Sequence, residues 1–151
     1  MIRSPDNDSH AKIDEKVRTL ASQFQNWLAR SLENAALTPG DEGLLGLYTL
    51  ITMKGDEIMG LGGDETSRWV VGMSAFLGEC IRTRFGGDYF RSGDQGFGLR
   101  LPNDREIYPV RWVQGQLSGG KKASILVQYE LLVSSLIGEA GDEGKRPGPN
   151  D

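Results

Sequence analysis

Side chains that could do chemistry in this chain are concentrated between Glu79 and Arg111. Glu79 lies three residues before Arg82 in a predicted helix, so one helical turn would bring the carboxylate and the guanidinium together. Arg100 and Arg111 are alternative partners. A carboxylate paired with arginine near a core is usually structural rather than catalytic. We therefore predict no catalytic residue, and the alternative is an enzyme of unknown reaction with its site at Glu79, Arg100 and Arg111.

Nucleophilic and metal chemistry is limited by a single cysteine and a single histidine. His10 lies in a polar N-terminal stretch, and Cys80 lies on the apolar side of a predicted helix, where a buried thiol is inert. Zinc sites need nitrogen and sulfur ligands close together. The acidic residues around 55–65 lack the spacing of a calcium loop. The sequence "GLGGDETS" fits no phosphate-binding pattern, so we expect no metal and no cofactor.

Arginines and aromatic residues are interleaved between Arg82 and Lys122, a segment with eight basic and four acidic side chains. The formal net charge of the chain is −4, which gives no general reason to expect nucleic acid. The segment is either an ordinary solvated surface with ion pairs or a local basic patch for an acidic partner. We predict a protein partner, no nucleic acid and a possible homodimer. The predicted binding residues are Glu79, Tyr89, Arg91, Arg100 and Arg111.

The first sixteen residues lack the apolar region of a signal peptide. No stretch approaches the roughly 18 uninterrupted apolar residues that a membrane span needs. A single cysteine also allows no internal disulfide. We expect no membrane association and a cytoplasmic location.

Two patterns predict the N-terminal elements. Apolar residues at spacings of three and four predict an amphipathic helix over 13–32. "TPGDEG" then interrupts the pattern, and a second helix should begin at Asp41 and end near 54–55. The stretch 55–63 holds four glycines and is predicted to be a loop of unassigned role.

A third helix is predicted over 65–85. Gly72, Ala75 and Gly78 recur at every third residue on it, and small residues in one stripe allow another backbone to approach closely. Gly86 and Gly87 would end this helix.

Alternation of period two then predicts three short strands at 89–91, 96–101 and 106–108, with Phe97, Leu99 and Leu101 on a buried face. Pro109 suits the first turn of a short helix. Residues 123–137 fit a helix, although their alternation also fits a strand.

These elements predict one α+β domain over 12–137, in which about five helices pack around a small three-stranded antiparallel sheet. Residues 1–11 and 138–151 are polar and turn-prone and are predicted to be disordered tails.

The segments "FLGECIRTRFGGDYF", "GFGLRLPNDREIYPVRWVQGQL" and "SILVQYELL" resemble a family of uncharacterised bacterial domains. The resemblance spans roughly 69–136. It includes a Leu-Gly-Glu helix, an arginine-containing double-glycine turn before an aromatic residue, and a Leu-x-Leu hairpin. The residues that carry it are Leu77, Gly78, Glu79, Gly86, Gly87, Leu99, Leu101, Pro109 and Val113. Some members occur beside genes for toxin neutralisation and contact-dependent competition, which implies a binding or immunity-type role.

The residues and the resemblance together predict a non-enzymatic protein-binding or regulatory module, of the cytoplasmic immunity type. The alternatives are an enzyme with a Glu/Arg site and a structural subunit that forms a homo-oligomer through an exposed apolar face.

Overall fold

Five helices and a three-stranded antiparallel sheet make up the part of the chain that the computed structural model describes. The described backbone covers residues 5–31, 38–93, 96–119 and 123–145, and the described side chains cover 12–28, 38–93, 96–119 and 123–137. The elements are α1 Pro5–Ser31, α2 Asp41–Leu61, α3 Gly63–Phe85, β1 Asp88–Ser92, β2 Gly96–Arg100, β3 Glu106–Ile107, α4 Pro109–Gly119 and α5 Ile125–Lys145. The predicted α+β class and antiparallel sheet are confirmed.

The α3 helix is the element around which the others pack, and it contacts α1, α2 and α4. Its small residues allow this. A Cβ added at Gly72 would lie 2.7 Å from Cδ1 of Phe24 on α1, and a Cβ added at Gly78 would lie 2.8 Å from the Tyr89 hydroxyl on β1. Ala75 between them is fully buried. The close packing predicted from this stripe is confirmed.

The predicted loop over 55–63 is wrong, because α2 continues through it to Leu61. Gly62 alone separates α2 from α3, and Gly62 and Gly63, the first residue of α3, have positive φ values of 73° and 56°. Ile58 is fully buried in this last part of α2, and the Thr66 hydroxyl donates a 2.7 Å hydrogen bond to its carbonyl. Burial of Ile58 thus offsets the cost of about 1 kcal/mol that each glycine imposes on a helix.

Strand order in the sheet is β1-β2-β3, with Tyr89 opposite Leu99 and Leu99 opposite Ile107. These three residues share the inner face and are buried. Phe97 and Leu101 are buried as well, as their alternation predicted. On the outer face the Phe90 ring covers Gly98, its direct partner across the two strands.

The C-terminal segment is a helix, which decides between the two interpretations of 123–137. The α4 helix begins at Pro109, as predicted. The α5 helix continues past Gly138 to Lys145, because one glycine costs too little to end a helix that residues such as Glu139 and Ala140 favour.

The predicted tails lie partly outside the described residues, namely at 1–4 and 146–151. The remainder of each, 5–11 and 138–145, has a helical backbone. Over the described ranges, no helix combines the length and the apolar character that crossing a membrane requires.

Candidate functional site

Glu79 is held by two neighbouring residues. Its Oε2 accepts hydrogen bonds from Nε of Arg82 at 2.8 Å and from the Tyr89 hydroxyl at 2.7 Å, and its Oε1 accepts one from Nη2 of Arg82 at 3.1 Å. Burial raises the pKa of Glu79, but the bonds from Arg82 and Tyr89 outweigh burial and hold the pKa below its usual value. The carboxylate is therefore ionised at neutral pH and poorly suited to general acid or base catalysis.

Tyr89, one of the predicted binding residues, is fully buried. Its hydroxyl bonds to Glu79 on α3, and its backbone N–H donates a 2.9 Å hydrogen bond to Oδ1 of Asp14 on α1. Burial, with the charge of Glu79, raises the pKa of Tyr89 well above its usual range. Tyr89 thus joins α1, α3 and β1 and has no surface to offer a partner.

Arg100 lies on the exposed outer face of the sheet and is paired with Glu106 rather than Glu79. The distance from Nη2 of Arg100 to Oε2 of Glu106 is 2.7 Å. The Tyr108 hydroxyl donates a 3.0 Å bond to the other oxygen of Glu106, and the Arg100 guanidinium lies 5.0 Å from the centroid of the Phe90 ring. The hydrogen bond from Arg100, then that from Tyr108, lowers the pKa of Glu106. Arg100 and Tyr108 are therefore held in fixed positions on the surface.

Arg111 lies in the wall of an open groove of about 580 Å³ between β3, α4 and α5. We call this the β3–α4–α5 groove. The side chains that define it are Glu106, Tyr108, Arg111, Trp112, Gln128 and Leu131. Leu131 is 61% exposed in it, and Trp112 is half-buried.

The Arg111 guanidinium is an exposed cation that forms no ion pair with a described side chain. Arg111 and Tyr108 line the same groove, and the charge of Arg111 opposes the rise in pKa that the hydrogen bond to Glu106 causes at Tyr108. Arginine and aromatic side chains, both present in this groove, are residue types that are enriched at protein interfaces.

The five predicted binding residues thus fall into three places. Glu79 and Tyr89 are bonded to each other, and Arg100 and Arg111 are both close to the groove, since Arg100 pairs with Glu106, which lines the same groove as Arg111. Arg91 is exposed on β1 and is not part of the groove. Neither Arg100 nor Arg111 bonds to Glu79, so the alternative Glu/Arg site is not assembled.

Gln116 positions the groove and has no clear signal in the sequence. It is buried, and its Nε2 donates to the carbonyl of Tyr48 at 3.2 Å and to the Thr52 hydroxyl at 3.1 Å. Its Oε1 accepts from the Ile125 N–H at 3.0 Å. Gln116 therefore ties α4 to both α2 and α5. In the sequence Gln116 is a polar residue three positions after Val113. That pattern does not distinguish a buried glutamine from an exposed one.

A second network joins the ends of three helices at Asp41, Arg84 and Tyr129. Tyr129 donates a hydrogen bond from its hydroxyl to Asp41 and accepts one from Arg84 at 3.2 Å, while Arg84 also pairs with Asp41 at 3.2 Å. The pKa of Asp41 is lowered, chiefly by the bond from Tyr129, and burial with that same bond raises the pKa of Tyr129 to about 12. The network fixes α5, which forms one wall of the groove.

Within the described ranges, no three His, Cys, Asp or Glu side chains lie close enough together to hold a metal ion. Comparison with known proteins identifies no relative: no family model, no curated protein and no solved structure matches the chain.

Proposed function

We propose that this chain is a non-enzymatic protein-binding module and that the β3–α4–α5 groove is its binding surface. The observation that carries the proposal is that Arg111 and the exposed Leu131 line the same groove. Arg111 has no carboxylate partner in the described part of the chain. Tryptophan, tyrosine and arginine supply most of the binding energy at protein interfaces, and Tyr108, Arg111 and Trp112 all line this groove.

The titratable groups support binding rather than turnover. Glu79 and Asp41 are bonded to arginine and tyrosine partners that join helices, and neither lines the groove. Cys80 is buried, and burial raises the pKa of its thiol to about 12. None of these groups is poised to exchange a proton or attack a substrate at neutral pH.

The partner should present a carboxylate to Arg111 and an apolar side chain to Leu131. The sequence resemblance of 69–136 to bacterial domains found near toxin-neutralisation genes favours a toxin as that partner. The role would then be that of a cytoplasmic immunity-type protein.

The test compares groove variants with matched controls in capture from the native host. Arg111→Glu and Leu131→Glu change the groove. Arg91→Glu makes the same charge change on β1, and Met53→Glu makes the same apolar-to-acidic change on α2, where Met53 is 73% exposed. We expect a protein that the wild type and both controls retain and that both groove variants lose. Isothermal titration with that purified protein should show the same order of affinity.

Two results would contradict the proposal. The first is that every captured protein binds the groove variants as well as the controls. The second is that the captured protein binds all four variants equally weakly, which would mean that overall charge rather than the groove determines binding.

A further inference from the structure

A second groove, of about 730 Å³, lies between α1 and the first half of α3. We call it the α1–α3 groove. The apolar part of its lining consists mainly of Leu20, Phe24, Trp27, Trp69 and Val71. Trp27 is 40% exposed, and its ring meets that of Trp69 edge-on at a centroid distance of 4.5 Å. Indole rings that are exposed in an apolar groove are favourable contacts for another protein surface.

One end of this groove is acidic. Asp64 and Glu65, in the first turn of α3, line it and are exposed. No ion pair with a described side chain engages either of them, and Arg68 on the same wall lies beyond salt-bridge distance of both. Acidic residues are favourable at a helix N-terminus in any protein. Asp64 and Glu65 therefore indicate a binding surface only in combination with the charges at its other end.

The other end is basic. Lys12 and Lys16 precede Leu20, Gln23 and Trp27 at spacings of four, four, three and four, so the five residues form one stripe along α1. Both lysines are exposed and have no carboxylate partner among the side chains that the structure describes. At 1.5 Å per residue, Lys16 lies about 16 Å and Lys12 about 22 Å from Trp27 along the helix. The surface therefore has two lysines at one end, an apolar middle, and at the other end Asp64 and Glu65 with the single positive charge of Arg68, so that the two ends have net charges of opposite sign.

A surface with this order of charges is complementary to itself. A two-fold rotation about an axis between Leu20 and Gln23 makes two α1 helices antiparallel and places the basic end of each copy on the acidic end of the other. Two-fold dimers use the same patch on both subunits, which requires this kind of self-complementarity. Complementary charges also fix the register of two apolar surfaces and disfavour other partners.

We propose that the chain forms a two-fold symmetric dimer through the α1–α3 groove, with Lys12 and Lys16 of each copy against Asp64 and Glu65 of the other. Trp27 of one copy then lies near Lys16 of the second, in position for a cation–π contact. This inference does not depend on the β3–α4–α5 groove, which none of these residues lines.

The test is analytical ultracentrifugation of the full chain across about a hundredfold range of concentration, over which a self-associating chain of 16.6 kDa should move toward twice that mass. Lys12→Glu/Lys16→Glu and Asp64→Lys/Glu65→Lys each place like charges at both contacts of a dimer. Each double variant alone should weaken the dimer by about tenfold or more. An equimolar mixture of the two should restore it, since both contacts in the mixed dimer then pair opposite charges.

Three controls make the result decisive. Circular dichroism melting tests whether Asp64→Lys/Glu65→Lys is folded. Asp64→Asn/Glu65→Gln removes the same two negative charges without adding positive ones and should also weaken the dimer, by less. Arg91→Glu and Leu131→Glu should leave the dimer unchanged, which separates this surface from the proposed partner-binding groove. A wild-type monomer at every concentration would overturn the proposal. So would a dimer that tolerates both double variants, or a mixture that stays as monomeric as its components.

Discussion

The hydroxyl of Tyr89 reaches the carboxylate of Glu79 because Gly78, which the tyrosine ring packs against, has no side chain. The hydroxyl-to-Oε2 distance is 2.7 Å, and the ring lies against the backbone of Gly78, one residue before the glutamate. A buried tyrosine needs a partner for its hydroxyl, and a buried carboxylate needs donors. Each residue supplies what the other lacks. Two residues that look like binding residues in the sequence are therefore a structural pair that anchors β1 to α3.

Replacing Gly78 with alanine should disrupt this pair. The new Cβ would lie 2.8 Å from the Tyr89 hydroxyl and 3.0 Å from its Cε1, so the buried ring would have to move. We expect a loss of about 1–3 kcal/mol in the free energy of unfolding, measured by urea denaturation. Gly60→Ala is the matched control, because nothing lies within 4 Å of its added Cβ in α2. That change should raise stability by up to about 1 kcal/mol. Equal effects at the two positions would show that the ring adjusts without cost.

Acid should remove the stabilisation that Glu79 provides. Its pKa in the folded protein is lower than the ordinary 4.5, because the bonds from Arg82 and Tyr89 outweigh burial. The contribution of the ionised carboxylate is therefore fully present above about pH 4.5 and is lost as the pH falls through the folded-state pKa. Glu79→Gln cannot titrate. The difference in unfolding free energy between the wild type and this variant should be largest near neutral pH and should shrink in acid. A difference that is independent of pH would mean that the pair contributes through packing alone.

Two buried serines should respond in opposite directions to alanine. Ser74 Oγ is buried in α3 and finds no hydrogen-bond partner within the described residues, whereas Ser124 Oγ accepts a 3.1 Å bond from the Val127 N–H at the start of α5. Ser74→Ala removes an unsatisfied group and should leave stability unchanged or raise it by about 1 kcal/mol. Ser124→Ala removes a helix cap and should lower stability by about 1 kcal/mol. Thermal melts of the two variants compare them directly, and a destabilised Ser74→Ala would indicate that the hydroxyl has a bonding partner.

The inner sheet face shows how far periodicity alone can predict the structure. Alternation places Phe97 and Leu99 on the buried face, and both are buried there. Residues directly opposite each other in a sheet share a face, so the pairing of Tyr89 with Leu99 makes Tyr89 buried as well. The sequence shows the alternation of β2 but does not specify which residue of β1 stands opposite Leu99. The burial of Tyr89 depends on that register, which a one-residue shift would reverse.

The end of α2 and the β3–α4–α5 groove could not be predicted from local sequence patterns, for a different reason. Glycine content predicts a loop over 55–63, but Ile58 and Gly55 are buried by contacts with distant elements, including Leu117 of α4. Arg111 and Leu131 line one groove because α4 packs beside α5, where Gln116 Oε1 accepts a hydrogen bond from the Ile125 N–H. Such contacts are long-range, and a single sequence carries no spacing rule for them. The close approach at Gly78 was predictable because its signal lies within one helix.

Cys80 offers an independent measure of how tightly this core is closed. The thiol is 1% exposed, and burial raises its pKa to about 12, so the native protein should not react with a thiol-specific reagent such as a disulfide dye at pH 8. Labelling should require unfolding or opening of α3, and its rate should then report the open population. Gly78→Ala should increase the rate by about tenfold for each 1.4 kcal/mol of stability that it removes, while Gly60→Ala should not increase it. Labelling of the native wild type at the rate of a free cysteine would mean that the helix opens locally around Cys80 and that the α3 packing is less rigid than its contacts indicate.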